Sequence, residues 1–178
     1  MPKRQYLKNN DKKNICLVGF MGSGKTTVGK LLSKSLKFEF VDTDEKIEKE
    51  NFMKIKDIFE DFGESFFRDL ETKKIIELAK NKNQILSIGG GAFCFERNIK
   101  VLKENCLVFY INIPFDEIVS RLSKRQLNKR PLFHDLEKAE ELFNKRQFYY
   151  QQADFILNAS AKTSREIKKE IKNILIKL

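Results

Sequence analysis

The sequence predicts an α/β domain of three layers, in which helices flank a five-stranded parallel sheet. Three observations support this prediction: the chain of 178 residues can bury one core, short apolar runs recur along it, and helical patterns separate these runs. These runs are short and mostly apolar, as strands of a covered parallel sheet should be. We expect one domain over residues 15–178, with strands at 15–18, 38–41, 84–88, 106–111 and 154–157.

The first apolar run leads into Gly19-Phe-Met-Gly-Ser-Gly-Lys-Thr26, which matches the pattern G-x-x-x-x-G-K-[ST] between a strand and a helix. This pattern is typical of a P-loop, whose backbone N–H groups surround phosphate oxygens. Lys25 can then contact the β- and γ-phosphates as a catalytic residue, and the Thr26 hydroxyl can bind Mg²⁺. An ordinary glycine-rich turn is the alternative. We assign nucleotide binding to Gly22, Ser23, Gly24, Lys25, Thr26 and Thr27.

Helical patterns fill most of the chain between the strands. Pro114 at a first helical position and the capping box Thr163-Ser-Arg-Glu166 mark the starts of two helices. The helices that we expect are 27–36, 64–80, 115–122 and a last one after the capping box.

Two stretches depart from the simple alternation. Residues 43–63 are rich in helical patterns and contain no strand, so we expect a helical substrate-binding insertion over about residues 43–72. The run 125–135 is polar and basic and contains a proline, which predicts a mobile lid over about residues 123–136.

The net charge of +10 raises the question of nucleic-acid binding. Residues 1–14 hold five basic residues against one acidic residue and are expected to form a disordered leader. Elsewhere lysine alternates with glutamate on helices, which is typical of solvated faces. A basic enzyme with two anionic substrates is therefore favoured over a nucleic-acid partner.

Three scattered cysteines predict reduced thiols, and no apolar run reaches the length of a membrane span. We expect a cytoplasmic monomer without a membrane partner.

Two carboxylates follow the second apolar run. Asp42 and Asp44 stand where this strand gives way to a helix, and alternate residues of an extended chain point to opposite sides. One can therefore face a metal ion and the other a second substrate. The alternative is that both only stabilise a helix N-terminus. The guanine-reading pattern Asn-Lys-x-Asp is absent from the sequence, which favours adenine.

Over about residues 15–155 the chain carries an ordered set of motifs. They are the P-loop variant itself, Asp42-Thr43-Asp44, Gly63-Glu64 followed by Phe67-Arg68, Gly89-Gly90-Gly91, Arg130-Pro131-Leu132, and Arg146 with Tyr150. In these motifs, their order and their approximate spacing, the chain resembles the shikimate kinases.

The resemblance implies transfer of the ATP γ-phosphoryl group to the 3-hydroxyl of shikimate, with Mg²⁺ as cofactor. It implies that Arg68 and Arg146 bind the shikimate carboxylate, while Asp44 orients the reacting hydroxyl or takes its proton. Asp42 would hold Mg²⁺ through water beside Thr26. The remaining assignments are backbone contacts to shikimate at Gly89, Gly90 and Gly91, closure of Arg130 over the transferred phosphoryl group as a catalytic and nucleotide-binding residue, and adenine contacts from Arg125 and Arg165.

Several alternatives stay open at this point. Helical spacing alone would make Arg68 a surface arginine paired with Glu64 or Glu71, and Arg146 one paired with Glu140 or Glu141. The rival functions are another small P-loop kinase, acting on gluconate or a nucleoside monophosphate, and a nucleic-acid-associated nucleotide switch. Two arginines and an aspartate suit a hydroxylated carboxylate better than a nucleotide acceptor.

Overall fold

The computed structural model describes residues 14–123, 127 and 131–178. The expected leader therefore lies outside the described residues, apart from Asn14. Arg125 and Arg130 of the expected lid lie outside them as well.

Five strands form one parallel sheet, which confirms the predicted fold class. Their order in the sheet is β2-β3-β1-β4-β5, so β1 lies at the centre, with β2 and β3 on one side and β4 and β5 on the other. Ligands of such sheets bind at the carboxyl ends of the strands where the order reverses, which here is the end of β1. The strands are β1 (Asn14–Val18), β2 (Glu39–Asp42), β3 (Gln84–Ser87), β4 (Cys106–Asn112) and β5 (Phe155–Asn158).

Asn14 extends β1 by one residue beyond the prediction and is fully buried. Its side-chain amide donates to the backbone oxygen of Asn81 at 2.7 Å, and its side-chain oxygen accepts from the backbone N–H of Gln84 at 3.1 Å. A polar residue can start this strand because its side chain pairs with backbone groups of the neighbouring segment.

Seven helices of the described chain accompany the sheet. They are α1 (Lys25–Leu36), α2 (Thr43–Asn51), α3 (Ile55–Ala79), α4 (Glu96–Asn105), α5 (Phe115–Arg121), α6 (Leu136–Tyr150) and α7 (Ser164–Lys177). Helix α1 packs against α7 and against β2 and β3, whereas α3 packs against α4, which covers β4. Two pairs of helices thus flank the sheet. Helices α4 and α6 are additions to the sequence prediction.

The predicted helical insertion consists of α2 and the first part of α3. Helix α3 is kinked at Gly63, whose φ of 81° and ψ of 169° are not helical. The predicted helix that starts at Glu64 is the part of α3 after this kink. Ile47, Ile58 and Phe67 form a second small core between the two helices. This core fixes the second half of α3, which carries Arg68, against α2.

The carboxyl end of the predicted lid is packed in the core. Pro131–His134 form a short 3₁₀ helix, and Phe133 is buried with its ring centroid 6.2 Å from that of Phe20. Phe20 belongs to the P-loop, so this end of the lid is attached directly to the phosphate-binding motif.

Candidate active site

The P-loop adopts the geometry that its sequence predicts. Gly22 and Gly24 have φ values of 84° and 89°, which side chains rarely tolerate, and Gly24 is the N-cap of α1. The Lys25 ammonium donates to the backbone oxygens of Gly19 at 2.8 Å and of Phe20 at 3.0 Å. The buried Ser23 hydroxyl finds no hydrogen-bond partner among the described residues. The loop therefore presents a helix N-terminus, an ammonium group and an unpaired hydroxyl to a phosphate.

Thr26 and Asp42 meet beside this loop. The Thr26 hydroxyl donates to Asp42 Oδ2 at 2.9 Å, and Asp42 Oδ1 accepts from the backbone N–H of Asp44 at 3.2 Å. Within the described residues, no cluster of three or more histidine, cysteine or acidic side chains could hold a metal ion. A hydroxyl and a carboxylate in contact fit Mg²⁺, which keeps several waters and takes further oxygens from substrate phosphates.

The predicted acceptor residues lie close to the glycine triplet that follows β3, one beside each glycine. A β-carbon on Gly89 would lie 2.5 Å from Asp44 Oδ1, and one on Gly91 would lie 2.9 Å from Nη1 and Nη2 of Arg68. A β-carbon on Gly90 would lie 3.5 Å from Arg146 Nη1. The same position is 3.5 Å from the backbone nitrogen of Met21 in the P-loop. The absence of side chains therefore lets three charged groups approach the backbone of the triplet closely, next to the phosphate-binding loop.

Arg68 is held by two carboxylates and several aromatic rings. Its Nη1 donates to Glu71 Oε2 at 2.9 Å, and Glu64 Oε1 accepts from its Nη2 at 2.9 Å and its Nε at 3.1 Å. Both ion pairs expected from helical spacing thus form, and the guanidinium also faces Gly91. Its central carbon lies between 5.2 and 5.8 Å from the ring centroids of Phe59, Phe67 and Phe95.

Glu71 is a site residue that the sequence analysis considered only as an ion-pair partner. It is 1% exposed, and a β-carbon on Gly89 would lie 2.9 Å from its Oε1. This oxygen and Asp44 Oδ1 both lack a hydrogen-bond partner among the described residues. Glu71 follows Arg68 by three residues on one helix, so the sequence indicated that the two side chains can pair. It did not indicate that Glu71 is buried.

Burial raises the pKa of Asp44 to about 6, with a further contribution from Asp42 and partial compensation by Lys25 and Arg68. Burial also raises the pKa of Glu71 to about 7, although the Arg68 guanidinium opposes this change. Carboxyl groups with raised pKa values in a cleft are candidates for proton transfer. They also favour a ligand that brings hydroxyl donors to the two unpaired oxygens.

Arg146 and Tyr150 connect α6 to the same triplet. The Arg146 guanidinium lies over the ring of Phe20, with its central carbon 5.7 Å from the centroid. The Tyr150 hydroxyl, on the next turn, donates to the backbone oxygen of Gly90. Burial raises the pKa of Tyr150 well above its usual value, so this hydroxyl stays protonated and keeps donating.

A depression on the other side of the P-loop continues the predicted nucleotide site. It is lined by residues 22–27 together with Arg121, Leu122, Ser164 and Ile167. Arg121 was not selected from the sequence. The predicted adenine residue Arg165 lines a separate depression with Glu166 and Lys168, so its assignment stays a prediction. The assignments of Arg125 and Arg130 concern positions outside the described residues.

Together, the P-loop, the strand order and the carboxylate beside Thr26 define a P-loop phosphotransferase. The sequence profile described as shikimate kinase matches residues 21–176. The chain belongs to the shikimate kinase family. In the described residues, no helix combines the length and the apolar character needed to cross a membrane.

Named relatives and solved structures agree with this assignment. The chain is 45% identical over 160 residues to a shikimate kinase of Persephonella marina, with 89% of this chain and 96% of the relative covered. It is 43% identical over 160 residues to one of Sulfurihydrogenibium sp., with 89% and 95% covered. The structure of shikimate kinase from Acinetobacter baumannii in complex with shikimate superimposes with a TM-score of 0.87 and 32% identity, covering 97% of each chain.

Proposed function

We propose that this protein transfers the γ-phosphoryl group of ATP to the 3-hydroxyl of shikimate, with Arg68, Arg146 and Asp44 as the acceptor-binding residues. The observation that carries the proposal is the convergence of these three side chains on consecutive glycines next to the P-loop backbone. Two guanidinium groups suit the carboxylate of shikimate, and an aspartate with an unpaired oxygen suits a hydroxyl.

Asp44 is the group that acts on the reacting hydroxyl. Its unpaired Oδ1 accepts the hydroxyl hydrogen bond, which orients the attacking oxygen toward the P-loop. With a pKa of about 6 the carboxylate is mostly ionised at neutral pH and can take the proton as the bond to phosphorus forms.

Lys25 leaves the carbonyl groups of Gly19 and Phe20 to contact the β- and γ-phosphates, and the N–H groups of the P-loop surround the same oxygens. Thr26 and Asp42 would hold Mg²⁺, which neutralises charge on the transferred group when bound. Arg121 lines the nucleotide depression and would contribute to the wall near the base. The role expected of Arg130 in the lid concerns a position outside the described residues and stays a prediction.

The protein acts as a cytoplasmic monomer on two small molecules and needs no nucleic-acid partner. The family assignment and the scattered placement of its lysines among acidic side chains support this proposal.

An ADP-release assay with shikimate, gluconate and AMP as separate acceptors tests the proposal. We expect Mg²⁺-dependent turnover with shikimate alone. Asp44→Asn should keep shikimate binding but lower kcat by about 10²- to 10⁴-fold, because a positioned proton acceptor is lost. Asp61→Asn, at an exposed position of α3, is the matched control and should behave as wild type. Turnover with gluconate or AMP instead of shikimate would reject the assignment.

A further inference from the structure

The guanidinium of Arg68 already has two carboxylate partners within the protein itself, Glu64 and Glu71. Glu64 Oε1 accepts from both Nε and Nη2, at 3.1 and 2.9 Å. These two N–H groups lie on one edge of the planar guanidinium, and such an edge can bind a carboxylate through two parallel hydrogen bonds. A substrate carboxylate that binds this edge must therefore replace Glu64.

The two carboxylates on Arg68 differ in their freedom to leave. Glu71 is 1% exposed and enclosed beside Gly89, whereas the side chain of Glu64 is 63% exposed. An exposed carboxylate is readily hydrated when its ion pair breaks, so the pair costs little to separate. A buried carboxylate would lose its partner without gaining water.

The position of Arg68 does not depend on Glu64. Glu71 fixes Nη1, and the rings of Phe59, Phe67 and Phe95 surround the guanidinium. When Glu64 moves away, these contacts still hold the guanidinium next to Gly91, with its Nε and Nη2 edge vacated for an incoming group.

We propose that Glu64 is a displaceable substitute for the substrate carboxylate on Arg68, and that it makes the acceptor pocket selective for carboxylate-bearing acceptors. An acceptor with a carboxylate replaces one ion pair by another. An uncharged polyol cannot compensate the guanidinium for the loss of Glu64, so Glu64 stays in place. The proposal rests on the proposed role of Arg68 in binding the substrate carboxylate.

Titration calorimetry without nucleotide measures the effect. Glu64→Gln should tighten shikimate binding by about two- to tenfold, because no carboxylate of the protein then competes for the Nε and Nη2 edge of Arg68. Glu64→Asp keeps the charge but shortens the side chain, and should tighten binding in the same direction. The methyl ester of shikimate, which has no charge, should bind wild type and Glu64→Gln equally.

Asp69→Asn is the matched control. Asp69 is 58% exposed and lines one surface depression together with Glu64 and Arg68. It pairs with Arg97 rather than with the Arg68 guanidinium. It should leave shikimate affinity within about twofold of wild type. Equal tightening in Asp69→Asn and Glu64→Gln would reduce the effect to general charge repulsion and overturn the proposal.

Unchanged or weaker shikimate binding in Glu64→Gln would also overturn it, and weaker binding would show that Glu64 positions Arg68. Arg68→Ala separates this failure from a failure of the proposed function. If Arg68→Ala binds shikimate as wild type does, the substrate carboxylate is bound elsewhere. If it binds weakly while Glu64→Gln gains nothing, only the proposal for Glu64 fails.

Discussion

The Thr26 hydroxyl lies 2.9 Å from Asp42 Oδ2, so the first turn of α1 and the end of β2 share one hydrogen bond. The other oxygen of the same carboxylate caps α2 through the backbone N–H of Asp44. Asp42 therefore has two separable tasks, a structural one at the helix N-terminus and a proposed one at the metal ion.

Two substitutions of Asp42 should separate these tasks. Asp42→Asn keeps a good N-cap, so its Tm should stay near that of wild type, while a higher Mg²⁺ concentration is needed for half-maximal turnover. Asp42→Ala should also lose about 1 kcal/mol of stability, or roughly 2–4 °C in Tm. Thermal unfolding and Mg²⁺ titration of activity measure the two effects. An unchanged Mg²⁺ requirement in both variants would exclude Asp42 from the metal site.

Lys25→Ala should abolish ATP-dependent turnover, with kcat/KM at least about 10³-fold lower, because Lys25 is the P-loop side chain that reaches the transferred phosphate. Lys34→Ala removes the same charge from the exposed last turn of α1 and should leave kcat/KM near that of wild type. Steady-state kinetics of the two variants measure this difference in kcat/KM. Retained turnover in Lys25→Ala would contradict the assignment of the motif.

Alanine at two adjacent glycines should have different effects. In Gly90→Ala the new β-carbon has no neighbour closer than 3.5 Å, so the fold should be unaffected while the methyl group fills space for shikimate. In Gly89→Ala it would lie 2.5 Å from Asp44 Oδ1, which forces the carboxylates to move and should lower Tm as well. Calorimetric binding and thermal unfolding separate the two. Normal shikimate affinity in Gly90→Ala would place the acceptor elsewhere.

The buried Glu71 should make stability depend on pH. Its pKa of about 7 lies above the unfolded value near 4.5, so the folded state binds the proton more tightly. The stabilisation is complete below about pH 4.5 and is lost as the pH rises through about 7. Between pH 6 and pH 8 this group should remove roughly 1 kcal/mol, or about 2–4 °C in Tm.

Glu71→Gln isolates the contribution, because the variant lacks the titrating group. Its Tm should fall less than that of wild type between pH 6 and pH 8 in thermal unfolding experiments. Parallel pH profiles for the two proteins would show that Glu71 has an ordinary pKa.

The five strands could be predicted because each contains a short and mostly apolar run, as strands of a helix-covered parallel sheet do. Helices α4 and α6 were missed because their sequences are mostly polar, and α6 begins where the lid was expected. The strand order depends on pairing between distant segments, which no local pattern encodes.

The sequence motifs also identified the side chains that meet at the glycine triplet. The roles of Asp44, Arg68 and Arg146 stay predictions, but their proximity is a property of the fold. Glu71 and Arg121 were not selected, because whether a helical residue faces a cleft depends on how the helix is rotated against its neighbours. Sequence spacing showed that Glu71 can reach Arg68, and only packing shows that it cannot reach solvent.

The central place of β1 in the sheet has an evolutionary consequence. Segments after β2 and β3 supply most of the proposed acceptor contacts, whereas those after β4 and β5 line the depression beside the P-loop. Mutations on the β2–β3 side of the sheet can therefore change acceptor specificity while selection preserves nucleotide binding. A lineage built on this sheet can diversify one substrate at a time. Arg146 is the exception, because this proposed acceptor contact lies on α6, which follows β4.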